Sequence, residues 1–166
     1  MASTFRTVST PLGDITVVAN EDGLTNLILP GDDVAIPTDA SEGGPFVDAA
    51  ATQLTEWFAG NRMSFDVPLA PAGTEFQKSV WTALCDIPFG ATASYGDIAK
   101  SIGQPMATRA VGAANGRNPL PIIVPCHRVI GASGALTGYA GGLQRKAWLL
   151  SHEGVRGAGQ QQTLAL

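Results

Sequence analysis

Cysteine is scarce in this chain: Cys85 and Cys126 are the only two in 166 residues, too few for a disulfide framework. Histidine is equally rare, with His127 and His152 alone. Those four side chains match no zinc-ligand spacing, so no metal site is expected. No stretch approaches about 18 uninterrupted apolar residues, which argues against a membrane-spanning helix and leaves no membrane partner. The opening Met1-Ala-Ser-Thr-Phe-Arg6 lacks the basic, then apolar, then small-residue order of a signal peptide. A cytoplasmic protein with two free thiols is the expectation. Charged residues are also few, at 14%, against 45% hydrophobic, the balance of a folded globular chain rather than a disordered one. The length suits one medium domain or two small halves, and no internal repeat is present.

The net charge of −4 argues at first against a nucleic-acid partner. Its distribution argues the other way. Residues 1–75 carry two basic side chains against eleven acidic ones, a net of −9, whereas residues 76–166 carry eight against three, a net of +5. A polyanion-binding face is therefore expected on the second half, although an acidic first half also serves solubility.

Between turn signals the first thirty residues alternate apolar and polar: Phe5 to Val8, Ile15 to Ala19 and Leu24 to Leu29. That pattern predicts a three-stranded antiparallel meander. Residues 30–44, rich in Gly, Asp and Pro, read as a loop. Pro45 opens a helix with Phe46, Ala49, Ala50, Leu54, Trp57 and Phe58 at helical spacing, ended by Gly60. Phe65-Asp-Val67 reads as an edge strand, and Pro68 to Gly73 as a linker. The predicted organisation is an α/β unit over 1–73, a mostly helical unit over 74–155 and a loose tail over 156–166, an α+β fold.

Two capping boxes mark helices in the second half. Thr74 with Gln77 precedes the apolar face of Phe76, Val80, Trp81, Leu84 and Ile87, and Ser94 with Asp97 precedes Ile98, Ala99 and Ile102. Cys85 sits in the first of these helices and reads as a small buried hydrophobe. After Gly103-Gln-Pro105 a further helix from Ala107 to Asn115 completes a helix-turn-helix pattern. Its side chains are mostly small, with Arg109 its one charge. A helix that reads bases in the major groove carries Asn, Gln, Arg and Lys. This one suits close approach without sequence reading. Downstream, Gly131, Gly134, Gly138, Gly141 and Gly142 predict loops lying against a ligand or another segment, and a closing helix spans Gln144 to Glu153.

Leu120 to Val124 is an apolar, β-branched run, and Pro125-Cys126-His127-Arg128 follows it, so a thiol stands beside an imidazole and a guanidinium. Thiolates are the nucleophilic form of cysteine, and nearby cations or a coupled base raise their population. Cys126 is the reactive candidate. On the residues alone a core cysteine following a buried strand remains open beside it, whereas no zinc spacing supports a metal ligand and an adjacent Cys-His pair is not how a cysteine-protease dyad is laid out.

Pro125-Cys-His-Arg-Val129, preceded by Asn118-Pro119 and followed by Gly138-Tyr-Ala-Gly-Gly142, resembles the active-site signature of the O6-alkylguanine-DNA alkyltransferases, or methylated-DNA–protein-cysteine methyltransferases. The likeness extends through Ser94-Tyr95-Gly96, Arg109-Ala-Val-Gly112 and Trp148-Leu-Leu-Ser-His-Glu-Gly154. The resemblance implies a ribonuclease H-like first half and a winged-helix-like second half. It further implies that Cys126 takes an alkyl group from guanine O6 once, irreversibly and without a cofactor. By the same likeness His127 is the base through a water, Glu153 orients it and Asn118 supports the loop. Tyr95 donates to a ring nitrogen, the Ala140 amide donates to O6 beside Gly141, the Cys126 and Val129 carbonyls accept from the exocyclic amine, and Tyr139 walls the pocket. The implied partner is double-stranded DNA containing alkylated guanine. The small-residue helix would lie in its minor groove, the base would be flipped out, and Arg109 would fill the vacated stack. Ala107, Thr108, Ala110, Gly112, Asn115, Arg117 and Arg128 complete the implied DNA contacts. A monomer in solution is expected, with cooperative assembly on DNA and O4-alkylthymine repair left open. Ala140 stands where the family often has serine, and the absence of Cys and His from residues 1–75 removes the zinc site of some relatives. A DNA-binding regulator without chemistry and a thiol hydrolase are the competing functions.

Overall fold

A computed structural model of the protein describes residues 2–134, 136, 139 and 142–155. The predicted tail and the positions Gly138, Ala140 and Gly141 lie outside the described residues. The chain divides into two compact units, Met1–Ala72 and Gly73–Leu166.

In the first unit β1 (Thr4–Thr10) pairs antiparallel with β2 (Gly13–Ala19) through a two-residue turn, and β2 pairs antiparallel with β3 (Leu24–Ile28). The expected meander is present, but the sheet has four strands in the order β3-β2-β1-β4. The addition is β4 (Ser41–Glu42), parallel to β1 and tied by Ser41 N–H to the Ser3 carbonyl at 2.9 Å and Gly43 N–H to the Phe5 carbonyl at 2.8 Å. Two residues are too short to show a period, so β4 cannot be read from the loop's composition. Phe65–Val67 forms no strand. The side chain of Gln53 takes up the backbone of Asp66 instead, accepting from its N–H at 2.7 Å and donating to its carbonyl at 3.1 Å. Sheet pairing is made slightly later, where Leu24 N–H donates to the Pro68 carbonyl at 2.9 Å and Ala70 N–H to the Leu24 carbonyl at 2.7 Å. Gly23 permits this approach, because a Cβ there would stand 2.5 Å from the Pro68 carbonyl oxygen.

Helix α1 (Pro45–Phe58) begins with proline at a position whose N–H needs no partner, and it packs on β1 and β2. Val47, Ala50, Leu54 and Trp57 form its buried stripe at helical spacing, over Ile15 and Val17 of the sheet. Phe46 and Phe58 are only half-buried, so the stripe is rotated slightly from the expected one. Each large side chain in it contributes roughly 2 kcal/mol of burial.

The second unit opens with α2 (Glu75–Leu84), whose Thr74–Gln77 capping box is formed in both directions. Cys85 caps its C-terminus and is exposed, not buried as expected, because the buried stripe runs through Val80, Trp81 and Leu84 and leaves position 85 on the outer side. Helix α3 (Tyr95–Ser101) has the second capping box, Ser94 with Asp97. Helix α4 (Thr108–Gly116) follows after the turn and packs on both α2 and α3. Trp81 pins it, its indole N–H donating to the Ala114 carbonyl at 2.9 Å. A short parallel pair, β5 (Ala93–Ser94) with β6 (Val129–Ile130), brings the start of α3 to the end of the cysteine segment. Helix α5 (Leu143–His152) packs against the 3₁₀ turn Cys126–Arg128.

Candidate active site

The site is built on the segment leaving α4. Asn118 clamps that segment, accepting from Leu120 N–H at 2.9 Å and donating to the Val124 carbonyl at 2.8 Å. Between these anchors Ile122 is held at φ 76°, a left-handed conformation that a β-branched residue rarely adopts. Such strain persists only where its surroundings over-determine it. Here Leu120, Ile122, Ile123 and Val124 are all buried, so the apolar run acts as the anchor. The chain then closes tightly, Cys126 N–H donating to the Val124 carbonyl at 2.7 Å and Arg128 N–H to the Pro125 carbonyl at 3.0 Å. Cys126, His127 and Arg128 consequently point inward, and all three are buried.

Burial pushes the Cys126 thiol up, while hydrogen bonds from the Asn118 and Tyr139 side chains and the positive charge of Lys146 pull it back down. Asn118 therefore serves both the loop and the thiol. Behind the turn, Glu153 at the end of α5 receives His127 Nε2 at 2.9 Å and Arg128 through Nε at 2.9 Å and Nη2 at 2.6 Å. Arg128 Nη1 also donates to the Ile87 carbonyl at 2.6 Å, and its guanidinium lies 5.9 Å from the Phe89 ring centroid. Burial alone would raise Glu153, but the bonds and charges of His127 and Arg128 hold it down at about 2. An ionised carboxylate only accepts, so the Nε2 of His127 carries the proton and Nδ1 carries the lone pair. Burial outweighs Glu153 and keeps the His127 pKa below its ordinary value. The ring is a neutral imidazole, oriented to accept a proton.

Tyr95 opens α3, and its ring lies against α4 at Gly112, where a Cβ would be 3.8 Å from the ring. The outward face of α4 is Thr108, Arg109, Ala110 and Ala113, continued by Arg117 at its C-cap, all exposed, with Ala107 and Gly112 half-buried. Two expected DNA contacts are corrected. Asn115 is buried with its Nδ2 3.4 Å from the Cys126 carbonyl, because the helical period turns position 115 inward beside Val111 and Ala114. Arg128 is likewise inside, committed to Glu153 and Ile87, and offers no guanidinium to a phosphate. Lys146 is a residue the sequence reading missed: fully buried on α5, it donates from Nζ to the Val129 carbonyl at 2.5 Å. Its signal was a lone charge on the apolar stripe of Leu143, Ala147 and Leu150. Desolvation lowers its pKa to about 8 against the opposing pull of Cys126. Among the described residues no group of acidic, Cys and His side chains could hold a metal ion. No described helix is long and apolar enough to cross a membrane.

One buried cysteine, an adjacent imidazole held by a buried carboxylate and an exposed helix of small side chains in the same unit define a class: a protein with a candidate cysteine nucleophile. Comparison with known proteins makes this specific. Residues 4–71 match the family model for the 6-O-methylguanine DNA methyltransferase ribonuclease-like domain, and residues 75–155 match that family's DNA-binding domain. The chain is 55% identical over 146 residues to the methylated-DNA–protein-cysteine methyltransferase of Methanosarcina acetivorans, covering 87% of this chain and 94% of the relative. The Bacillus subtilis constitutive enzyme of that name is 47% identical over 90% of this chain and 94% of its own. A crystal structure of the Mycobacterium tuberculosis protein OGT in complex with DNA superposes with a TM-score of 0.83 at 49% identity, covering 90% of this chain and 92% of that one. The chain belongs to the 6-O-methylguanine DNA methyltransferase family.

Proposed function

We propose that the protein repairs DNA by moving the alkyl group of O6-alkylguanine onto Cys126 in a single irreversible turnover. The observation that carries this reading is the buried Cys126 thiol with a neutral, Glu153-bound His127 in the adjacent position. The sulfur electron pair forms the S–C bond as the C–O6 bond breaks, and the freed pair stays on O6. The thiol proton passes to Nδ1 of His127 through a water. Tyr95 delivers a proton to the guanine ring and, left as a phenolate, takes one back through solvent as the His127 imidazolium releases the thiol's proton, so the net products are a thioether and neutral guanine. Negative charge grows on the base as the carbon leaves, and donors fixed in a low-dielectric site stabilise it far better than water does. No group in this scheme removes an alkyl group from a thioether, so each molecule acts once.

Cys126 is buried and the target carbon lies in a stacked duplex, so the base must leave the stack to react. The exposed small side chains of α4 suit close approach to the minor groove, whose degenerate code fits a protein that must act in any sequence. Arg109, exposed on that face, is long enough to occupy the space the base vacates. Incubation with duplex DNA bearing one O6-methylguanine should add one methylene to the peptide containing Cys126, at one equivalent per protein, as read by intact and peptide mass. A peptide still unmodified after prolonged incubation rules the reading out. Arg109→Ala should slow repair in duplex roughly tenfold or more, since base extraction costs a few kcal/mol, while reaction with a free alkylated base stays near the parent rate. Equal losses on both substrates would remove Arg109 from the extraction step.

A further inference from the structure

On that reading His127 takes the thiol's proton, so it must be uncharged beforehand. Its main partner works against that state: Nε2 lies 2.9 Å from an ionised, buried carboxylate, an arrangement that ordinarily draws a second proton onto an imidazole. Arg128 removes the contradiction. Its guanidinium reaches both oxygens of the same carboxylate, with Nε 2.9 Å from Oε1 and Nη2 2.6 Å from Oε2, the oxygen that also receives His127. A guanidinium keeps its charge throughout the neutral range, and a buried carboxylate calls for one compensating cation. With Arg128 in that place, a proton on His127 would put a second cation into the same dry cluster.

The guanidinium is also held from its other side. Nη1 donates to the Ile87 carbonyl at 2.6 Å, and the Phe89 ring centroid stands 5.9 Å from the guanidinium carbon. Gly90 N–H, one residue on, approaches Glu153 Oε1 at 3.5 Å, so the segment after α2 closes over the ion pair. Among the described residues, the charged and titratable groups facing His127 are Glu153 and Lys146 from α5 and Cys126 and Arg128 from its own turn. Beyond Arg128, at the end of α2, stand Cys85 and Asp86. Glu153 favours a charged ring, whereas burial, Arg128 and Lys146 oppose one. Lys146 is committed to the Val129 carbonyl, but Arg128 meets the carboxylate that His127 itself touches.

We propose that Arg128 is a positioning residue of the transfer reaction: it supplies the counter-charge of Glu153 and so keeps His127 a neutral ring, protonated at Nε2, with Nδ1 as the acceptor of the thiol's proton. It acts through the carboxylate, not on the thiol or the base. Without it, Glu153 is a buried anion whose neighbouring source of positive charge is the imidazole, and His127 takes up a proton at higher pH. Arg128→Met should therefore move the acid limb of the transfer rate upward by about one pH unit or more. At a pH on that limb its rate, relative to its own plateau, should fall about tenfold or more below the parent's. Arg128→Lys keeps the charge without the two-pronged grip, and its limb should stay within about half a pH unit of the parent's even where its plateau is lower.

Single-turnover transfer from a duplex bearing O6-methylguanine, read by mass of the Cys126 peptide between about pH 5 and 9, gives the limbs. Imidazole ¹⁵N shifts give the titration of His127 itself, and assignment is simple because His152 is the one other histidine and His152→Gln removes its signal. The parent should show a neutral ring protonated at Nε2 down to below about pH 6.5, and Arg128→Met an imidazolium that persists about one unit or more higher than the parent's. If melting shows that Arg128→Met does not fold, Arg128→Gln, which retains a donor for the Ile87 carbonyl, carries the test. A variant without the guanidinium whose His127 titrates with the parent's and whose rate drops equally at every pH would give Arg128 a merely structural role and overturn the proposal. Arg128→Lys shifting as far as Arg128→Met would overturn it too. A parent protein that transfers no methyl group to Cys126 would instead overturn the alkyltransferase reading, and the ¹⁵N titration would still judge Arg128.

Discussion

Cys126→Ser is expected to abolish methyl transfer, a loss of about a thousandfold or more, while DNA binding stays within about twofold of the parent. The hydroxyl keeps the position and can still accept from Asn118 and Tyr139. Its proton, however, is held far more tightly than a thiol proton, and oxygen in this dry site has no charge with which to attack. Binding is spared because Cys126 is buried while the proposed contact face of α4 is exposed. Mass of the Cys126 peptide and fluorescence anisotropy with a labelled duplex measure the two properties separately. A folded serine variant that no longer binds DNA would show that the residue supports the fold and not the reaction.

The second large effect concerns stability. Glu153→Ala should cost about 3–5 kcal/mol, because it strands the Arg128 guanidinium in the interior and removes the partner of His127. The side chains of Glu153 and His127 are fully buried, and that of Arg128 nearly so, which is the situation in which a broken ion pair is most damaging. Urea unfolding of parent and variant gives the difference, and a loss below about 1 kcal/mol would contradict the account. The same cluster sets the acid response. Glu153 titrates lower in the folded protein, at about 2, than in the unfolded chain. Its contribution is therefore complete above the usual carboxylate range and is lost as pH falls from about 4 toward 2. His127 acts in the same direction over a higher window. Its folded pKa is depressed, so the unfolded chain takes up a proton that the folded protein refuses once pH drops below about 6.5. Stability should decline in two stages on acidification, and Glu153→Ala should remove the lower one.

What could be read from the residues divides along a physical line. Local signals were legible: both capping boxes form as Thr74–Gln77 and Ser94–Asp97 predict, and Pro45 opens α1. These depend on neighbours within a few positions. Features set by distant partners were not legible. β4 exists because β1 offers it an edge, and Asp66 is drawn away from the sheet by Gln53 on α1. In the site, the pairing of His127 with Glu153 was implied by family resemblance, but the placement of Arg128 was not. An arginine two residues from a nucleophile in a basic half looks like a phosphate contact until the fold supplies a buried carboxylate 25 residues away. Asn115 was misjudged by one step of helical phase, since Ala113 and Gly116 on either side of the buried pair are exposed. Lys146 went unnoticed because a lysine on a short helix is ordinarily a surface residue, and only the carbonyl of Val129 gives it a place inside.

The order of these residues along the chain has a consequence for synthesis. Glu153 follows His127 by 26 residues, and Lys146 follows Val129 by 17. At ribosomal speeds of about 5–20 residues per second, the nucleophile's segment is made about one to five seconds before its carboxylate. During that interval the growing chain carries the thiol without the charge that steadies it or the carboxylate that turns its imidazole. A polypeptide released early, before α5, would hold Cys126 and leave it idle. On the proposed reading, the capacity to react is thus conferred only once α5, which carries Lys146 and leads into Glu153, has been translated.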